Sequence, residues 1–247
     1  MAHGRILFIS DLHLDAAAPA VIERFIEFLR VDAAASDALY ILGDLFEAWI
    51  GDDDENPAAA RVRDALRALT ADGVACFIQH GNRDFLLGAR FMAASGCRLL
   101  PDPAVLDHGG TRFVLTHGDA LCTADRGYQR LRRIVRSAPL RGAWRALPLA
   151  WRRRLAALAR RRSRAYTRQA PPSIMDAQPA AVAALLRATR ADVLVHGHTH
   201  RPDVHRVPVQ GRERTRIVLG DWPDRSNALV VHAGGRYELR ELQPAAP

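Results

Sequence analysis

Short apolar runs alternate with helically periodic segments along the chain up to His200. The runs are rich in Val, Ile, Leu and Phe and are bounded by turn residues, which is typical of buried strands. They predict strands over Arg5–Ser10, Ala38–Leu42, Val74–Gln79, Arg112–Thr116 and Asp192–His196. The segments between them predict helices over Ala20–Arg30, Ala58–Ala71, Phe85–Ala94 and Ala180–Ala188. This alternation indicates the α/β class.

After His200 the helical pattern stops. Gly and Asn turns separate four further strands, predicted over Val204–Val209, Arg214–Leu219, Leu229–His232 and Tyr237–Leu242. We expect these strands to close the fold with antiparallel pairing.

One segment, residues 126–172, has no strand pattern and a different composition. It carries 15 arginines between Arg126 and Arg168 and no acidic residue, whereas the other 20 arginines stand against all 27 acidic residues. The formal net charge of +8 therefore arises from this segment. We predict a single domain over residues 1–247 with a basic helical insertion at about 126–172, called the insertion below.

The composition, 49% apolar and 25% charged, is that of a globular protein and excludes disordered and fibrous chains. No apolar run is long enough to cross a bilayer or to act as a secretory signal, so we expect a cytoplasmic protein. The three cysteines are odd in number and widely spaced, which favours reduced packing residues over disulfides or a zinc site.

Side chains with metal-ligand chemistry follow the predicted strands, where open α/β sheets build their sites. Two pairs at i, i+2 spacing project to the same side of an extended chain, so each pair can hold one ion. The candidate ligands are Asp11, His13, Asp44, Asn82, His117, His198 and His200.

Each candidate alone is more simply a turn residue, a helix cap or a packed histidine. Together, in five motifs at successive strand ends, they favour a metal site. They are too many for one tetrahedral ion, whereas two octahedral ions that share Asp44 would use them all.

These motifs, D-x-H, G-D, G-N-R, H and G-H-x-H, resemble those of the calcineurin-like metallophosphoesterases. Longer blocks resemble in particular the branch of that family that hydrolyses UDP-2,3-diacylglucosamine in lipid A biosynthesis. They are LYILGDLFEAWIGDD at Leu39–Asp53, HGNRDFLLG at His80–Gly88, HGDALCTADRGYQ at His117–Gln129, IMD at Ile174–Asp176 and HGHTHRP at His196–Pro202. The resemblance implies a four-layer α-β-β-α sandwich of two mixed sheets with a helical lid inserted.

By the same resemblance, one metal is held by Asp11, His13, Asp44 and His200, and the other by Asp44, Asn82, His117 and His198. The family commonly uses manganese, so two Mn²⁺ are expected, with other divalent transition metals as alternatives. The implied reaction is attack of a metal-bridged hydroxide on the α-phosphorus of UDP-2,3-diacylglucosamine, with Asn82, Arg83 and His117 at the reaction centre. The products would be UMP and 2,3-diacylglucosamine 1-phosphate (lipid X).

Arg83 distinguishes this chain from relatives that have histidine after Gly-Asn. A guanidinium does not serve as a general acid, so a leaving alkoxide would gain no proton from it. A leaving phosphate is weakly basic and needs charge neutralisation instead, for which a guanidinium is suited. Arg83 therefore favours pyrophosphate cleavage over monoester hydrolysis.

Further substrate contacts are implied by the resemblance alone. They involve Asn82, Arg83, Asp125, Ser163, Thr167, Ala170 and His198. Thr167 and Ala170 depart from the family pattern of Asn and Lys, and Arg168 is an alternative contact. Asp125 has a second interpretation, since it precedes a predicted helix and can cap it.

Apolar stripes run along the insertion, with arginines on the opposite faces. The stripes contain Trp151, Leu155 and Leu158, and Tyr128, Leu131, Ile134 and Val135. One interpretation is an amphipathic hairpin packed on the body with a solvated basic face. The other is a lid whose apolar side lines an acyl pocket and whose arginines contact anionic phospholipid, with Trp144 or Trp151 as an interfacial anchor. The second implies peripheral binding to the cytoplasmic face of the bacterial inner membrane.

Two rival functions remain open. A nuclease or phosphodiesterase of the same fold would use the basic segment for nucleic acid, although no recognition motif is present and no nucleic-acid partner is expected. A metal-free scaffold would have lost ligands, and no obligate protein partner is evident.

Residues 52–55 are interpreted as a helix start rather than a third metal site. Asp119 and Asp221 are interpreted as turn residues or hydrogen-bond partners of ligand histidines.

Overall fold

The structure, a computed structural model, describes residues 4–54, 56–171, 173–224 and 226–242. The predicted domain limits at residues 1 and 247, the end of the insertion at Pro172, Glu55 of the predicted helix start and the side chain of Arg168 lie outside this description. Within it the helices are α1 (Pro19–Phe28), α2 (Pro57–Ala71), α3 (Ala89–Ser95), α4 (Arg126–Val135), α5 (Ala138–Ala146), α6 (Leu149–Gln169) and α7 (Pro179–Thr189).

Eleven strands of the described residues form two mixed sheets. They are β1 (Arg5–Ile9), β2 (Ala38–Ile41), β3 (Ala75–Ile78), β4 (Arg98–Leu99), β5 (Ala104–His108), β6 (Thr111–Thr116), β7 (Val193–His196), β8 (Asp203–Val209), β9 (Arg212–Val218), β10 (Asn227–His232) and β11 (Tyr237–Glu241). One sheet has the order β11-β10-β1-β2-β3-β4, and the other β5-β6-β7-β9-β8. Strands β1, β2, β3 and β4 run parallel, as do β6, β7 and β9.

Three apolar clusters fix the layer order. One packs α1 and α2 on the outer face of the six-stranded sheet, with Phe25 and Trp222 at its centre. A second fills the space between the sheets, where Phe8 stacks near Phe113. The third holds α7 on the five-stranded sheet. The result is the α-β-β-α sandwich that the family resemblance implied.

Most predicted elements are confirmed within a few residues, and the differences are two missed strands and one late helix start. The sequence pattern missed β4 and β5, which are short and largely exposed or preceded by prolines. The antiparallel pairing expected of the carboxy-terminal strands is confirmed, since β8 pairs with β9 and β10 with β11, and the two pairs belong to different sheets. The third predicted helix begins four residues late, at Ala89.

That late start has a local cause in Asp52. Its carboxylate accepts hydrogen bonds from the backbone N–H groups of Gly88, Arg90 and Phe91 and from the indole of Trp49. Unpaired N–H groups at a helix start favour such an acceptor. Asp52 therefore caps α3. The helix start expected after residues 52–55 is confirmed, since α2 begins at Pro57 with Asn56 as its cap.

The insertion is helical, as predicted, and consists of α4, α5 and α6. The expectation that its arginines face away from the body is wrong for Arg152, which is 3% exposed. Arg152 donates to the Asp53 carboxylate and to the Ile50 carbonyl, while Arg153 pairs with Asp54. The indole of Trp144 also donates to Ile50, at 3.0 Å, so this side chain is docked on the body. The acids at 53 and 54 thus anchor the insertion.

No helix among the described residues is both long and apolar enough to span a bilayer.

Candidate active site

The candidate ligands lie on loops that follow β1, β2, β3, β6 and β7, so both sheets contribute to the site. Five of them have a left-handed backbone, with φ of 49–67°. They are Asp11, His13, Asp44, His198 and His200. The loops approach closely: a Cβ at Gly81 would collide with the Asp44 carboxylate, and one at Gly197 with Asp11. Glycine at these positions is what allows the motifs to converge.

The first group of ligand atoms belongs to Asp11, His13 and His200, and lies within 4.8 Å. His200 Nε2 is 3.3 Å from Asp11 Oδ1 and 3.4 Å from His13 Nε2. The other oxygen of Asp11 accepts from Ser10 Oγ and from the backbone N–H of His198, both at 2.7 Å. The Asp11 carboxylate is therefore fixed, with one oxygen turned to the two histidines.

The second group contains Asp11, Asp44 and His117, all fully buried. His117 Nε2 is 3.7 Å from Asp44 Oδ2 and 2.9 Å from Asn82 Oδ1. The His198 ring lies edge-on to His117 at 5.0 Å between centroids. Asp11 is common to the two groups, whereas the resemblance assigned the shared position to Asp44. All seven predicted ligands are brought to one place.

The partners of the Nδ1 atoms indicate which nitrogen is available. Nδ1 of His117 donates to the Leu42 carbonyl at 3.0 Å. Nδ1 of His13 lies 3.5 Å from Glu47, and Nδ1 of His200 lies 3.6 Å from Asp221 as predicted. Each Nε2 atom therefore faces the cluster, as in histidines that bind metal. The imidazole nitrogens of His13 and His200 face each other and the Asp11 carboxylate, a donor set that fits divalent cations.

The electrostatics of the cluster favour an added cation. Burial lowers the pKa of His13 to about 3 and, together with His117, that of His198 to about 4, so both are neutral near pH 7. Burial also raises the pKa of Asp44. Burial alone would lower the pKa of His117, but the nearby carboxylates of Asp44 and Asp11 have the larger effect and raise it to about 9. The negative charge of Asp44 and Asp11 that keeps His117 protonated would also stabilise a bound metal ion.

Arg83 lies beside this cluster and is one-third exposed. Its backbone N–H donates to Asp44 Oδ1 at 2.8 Å, and its Nε lies 3.6 Å from Asp44 Oδ2. Its Nη1 donates to Glu47 Oε1 at 2.6 Å. Glu47 thus connects Arg83 with His13, a role that the sequence analysis missed because Glu47 lies inside an apolar motif with no ligand spacing.

Four of the predicted substrate residues, Asp125, Ser163, Thr167 and Ala170, lie at the start of the insertion or within it. Asp125 caps α4 by accepting from the backbone N–H of Tyr128, and its other oxygen accepts from Tyr166 on α6, both at 2.8 Å. Ser163 is one turn before Tyr166 on the same face of α6, whereas Ala170 follows the end of that helix with an extended backbone. Thr167 is exposed on the same helix. The capping interpretation of Asp125 is confirmed.

Asp119 begins a short 3₁₀ helix, Asp119–Leu121, in agreement with the predicted turn role, and it has further contacts with the insertion. Its buried carboxylate accepts from Tyr128 Oη at 2.8 Å, Arg132 Nε at 2.7 Å and Arg136 Nη2 at 3.2 Å, all on α4 or at its end. The cationic neighbours His117, Arg136 and Arg132 overcome burial and hold its pKa well below the usual range. Of the two predicted roles of Asp119, the turn is confirmed, and its carboxylate also fastens the insertion to the loop that carries His117.

Comparison with known proteins identifies the family. The model of the calcineurin-like phosphoesterase family matches residues 4–202, most of the chain. The chain is a calcineurin-like phosphoesterase. This phosphoesterase is 48% identical to the UDP-2,3-diacylglucosamine hydrolase of Aeromonas salmonicida over 98% of this chain and 95% of that protein. The protein of the same name from Pseudomonas putida is 47% identical over 96% of this chain and 99% of the relative.

Solved structures support the fold of the phosphoesterase. An archaeal phosphodiesterase has a TM-score of 0.50 and 14% sequence identity, covering 96% of this chain and 99% of its own. Vacuolar protein sorting 29 from Cryptosporidium parvum also has a TM-score of 0.50, at 13% identity, with 96% of each chain covered. At such identities the likeness concerns the fold alone.

Proposed function

We propose that the protein hydrolyses the pyrophosphate bond of UDP-2,3-diacylglucosamine to give UMP and 2,3-diacylglucosamine 1-phosphate, as a step of lipid A biosynthesis. The observation that carries the proposal is the convergence of seven ligand side chains beside Arg83, in a chain nearly half identical over its length to hydrolases named for that substrate. The family and the donor set support divalent metal ions as cofactors. Two Mn²⁺ ions are our specific proposal.

Bound metals would supply positive charge to the phosphate oxygens and lower the pKa of a water molecule. His13, His200 and Asp11 would hold one ion, and Asn82, His117 and His198 the other, with Asp44 shared. The role of this chain's fixed hydrogen bonds is to keep these side chains in position. Ser10 orients Asp11, and the Leu42 carbonyl orients His117.

Arg83 would neutralise charge on the pyrophosphate. Its guanidinium is partly exposed and retains donors beyond those used by Glu47 and Asp44. A guanidinium stabilises a leaving phosphate without giving up a proton, which suits an anhydride rather than an alkyl ester. Asn82 lies against His117, close enough to contact the same phosphate.

The insertion would receive the diacyl sugar. Asp125, Ser163, Thr167 and Ala170 are the proposed contacts on α4 and α6. Large apolar side chains on these helices are exposed, among them Leu131 at 56%, Ile134 at 59% and Trp151 at 58%. Exposed apolar groups among arginines are typical of surfaces that bind anionic lipid, so we propose peripheral attachment to the inner membrane from the cytoplasm.

The test is an assay of purified, Mn²⁺-loaded protein with UDP-2,3-diacylglucosamine in ¹⁸O-labelled water. Release of UMP that carries the label is expected, because attack on the α-phosphorus leaves the new oxygen on the nucleotide. Label on the sugar phosphate would contradict the direction of attack. Absence of turnover together with cleavage of single-stranded RNA would favour the nuclease alternative.

A further inference from the structure

A cavity adjoins the cluster of candidate metal ligands on the side of His200. It has a volume of about 510 Å³ and is lined by His200, Asp221, Asp224, Asp176, Arg201 and Arg216, among others. This volume falls within the roughly 300–1,000 Å³ of typical small-molecule sites. Apart from His200 and its neighbour Asp221, the lining residues have no role assigned so far.

The cavity lies apart from the surface that we assign to the acyl chains. Among the described residues, its lining includes none from the insertion. The two histidines of the last motif separate the two regions: His198 lies against Tyr128 of α4, with ring centroids 6.2 Å apart, whereas His200 lines the cavity. A substrate with its phosphates at the metal cluster can therefore extend in two directions.

The lining is polar and is organised by one carboxylate. Asp176 accepts from Arg201 Nη1 at 3.0 Å and from Arg216 Nη2 at 3.3 Å. Arg216 in turn donates through Nε to His196 Nε2 at 2.8 Å and is largely buried. Arg201 remains more than half exposed beside Pro202. The network holds the Arg201 guanidinium at the cavity through one hydrogen bond to Asp176 and leaves its other donors for a ligand.

These groups suit a nucleoside better than a lipid. Guanidinium groups stack on planar bases and donate to their carbonyl oxygens, and carboxylates such as Asp221 and Asp224 accept from ribose hydroxyls. Acyl chains would displace water from this charged lining without offering hydrogen bonds in its place, which costs free energy. Because Asp221 also contacts His200, the ribose end of the cavity is the end nearest the metals.

We infer that this cavity binds the nucleoside half of the substrate, with Arg201 and Asp176 determining specificity for the nucleotide. The inference rests on the proposed function for the identity of that substrate. Asp176 acts as a positioning residue through the two arginines, and Arg201 contacts the base.

The experiment is calorimetric titration of the full-length, Mn²⁺-loaded protein with UMP and, separately, with inorganic phosphate. The wild type is expected to bind UMP about tenfold more tightly than phosphate or better, since a charged hydrogen bond and base contact are added. Arg201→Ala and Asp176→Asn should each reduce this preference to about threefold or less. Arg206→Ala is the matched control, because Arg206 is an exposed arginine of β8 outside the lining and pairs with Glu213.

Steady-state kinetics provide the second readout. For UDP-2,3-diacylglucosamine, Arg201→Ala should raise KM about tenfold while changing kcat much less, because the base is remote from the broken bond. Equal affinity of the wild type for UMP and phosphate, or identical behaviour of Arg201→Ala and Arg206→Ala, would overturn the inference. A wild type that binds UMP preferentially but does not hydrolyse the lipid substrate would overturn the proposed function and leave the nucleotide cavity supported.

Discussion

The ligand cluster and the insertion are held in place by different kinds of contact. Asp11, Asp44 and His117 are completely enclosed and are positioned by backbone groups and neighbouring loops. The insertion exposes much of its apolar surface and touches the body through arginines, chiefly Arg136 and Arg152. The first region is suited to fixed geometry, and the second to a surface that meets large, variable ligands.

This difference shows how one chain combines a rigid, buried cluster with an accessible surface. Enclosed charges in the cluster cost free energy unless they are paired or bind metal. Exposed charge pairs of the insertion, such as Arg153 with Asp54, contribute modestly because solvent screens them. We therefore expect substitutions in the cluster to affect chemistry most, and those in the insertion to affect recognition.

The largest effect is expected from Asp44→Asn. It preserves an acceptor for the Arg83 backbone N–H but removes the charge that would hold the metals, so kcat should fall by about a thousandfold or more. Thermal unfolding of the metal-free variant should change little, since a buried carboxylate is replaced by a neutral amide. Asp64→Asn, on the exposed face of α2, is the control. Near-normal Mn²⁺-dependent turnover of Asp44→Asn would contradict the cluster assignment.

Arg83→Ala should have the next largest effect, lowering kcat about 100-fold with much less loss of metal binding. The reason is that Arg83 lies beside the cluster rather than within it. The measurement is kcat alongside Mn²⁺ titration, with Arg63→Ala as a control on the body surface. A variant with unchanged kcat would remove Arg83 from the reaction.

Arg152→Ala tests the anchor of the insertion. Loss of its bonds to Asp53 and Ile50 should raise KM for the diacylated substrate about tenfold and increase hydrogen exchange in α5 and α6. Arg154→Ala removes an exposed arginine from the same helix and should change neither KM nor hydrogen exchange. If the two variants behave alike, the contact at Asp53 does not position the insertion.

The smallest effect is expected from Trp151→Ser, measured by sedimentation with anionic vesicles. Removing this exposed indole should weaken binding about fivefold, and the remaining binding should depend more strongly on salt. Val31→Ser, which replaces a side chain of similar exposure, 59%, on the body, is the control. Equal binding by the two variants, or no vesicle binding by the wild type, would argue against the membrane proposal.

The two regions also differ in how far the sequence predicts them. The ligand motifs could be identified because each ends a strand, and parallel strands bring such ends together. The contacts that anchor the insertion could not be predicted from the sequence, because Asp53 and Arg152 are 99 residues apart and no local pattern marks either as a partner. The contacts that Asp119 and Glu47 make could not be predicted for the same reason, because they arise between separate segments of the chain. Beta strand β4, with two exposed residues, has no pattern to detect.

The left-handed backbone at the ligand positions has a consequence for engineering this protein. Non-glycine residues in that conformation cost on the order of 1 kcal/mol each, and glycine relieves the cost. Selection for thermal resistance alone, without an activity requirement, would therefore favour Gly at positions such as His13 and His200 and would erode the active site while improving the scaffold. A stabilisation programme for this chain should hold these codons constant.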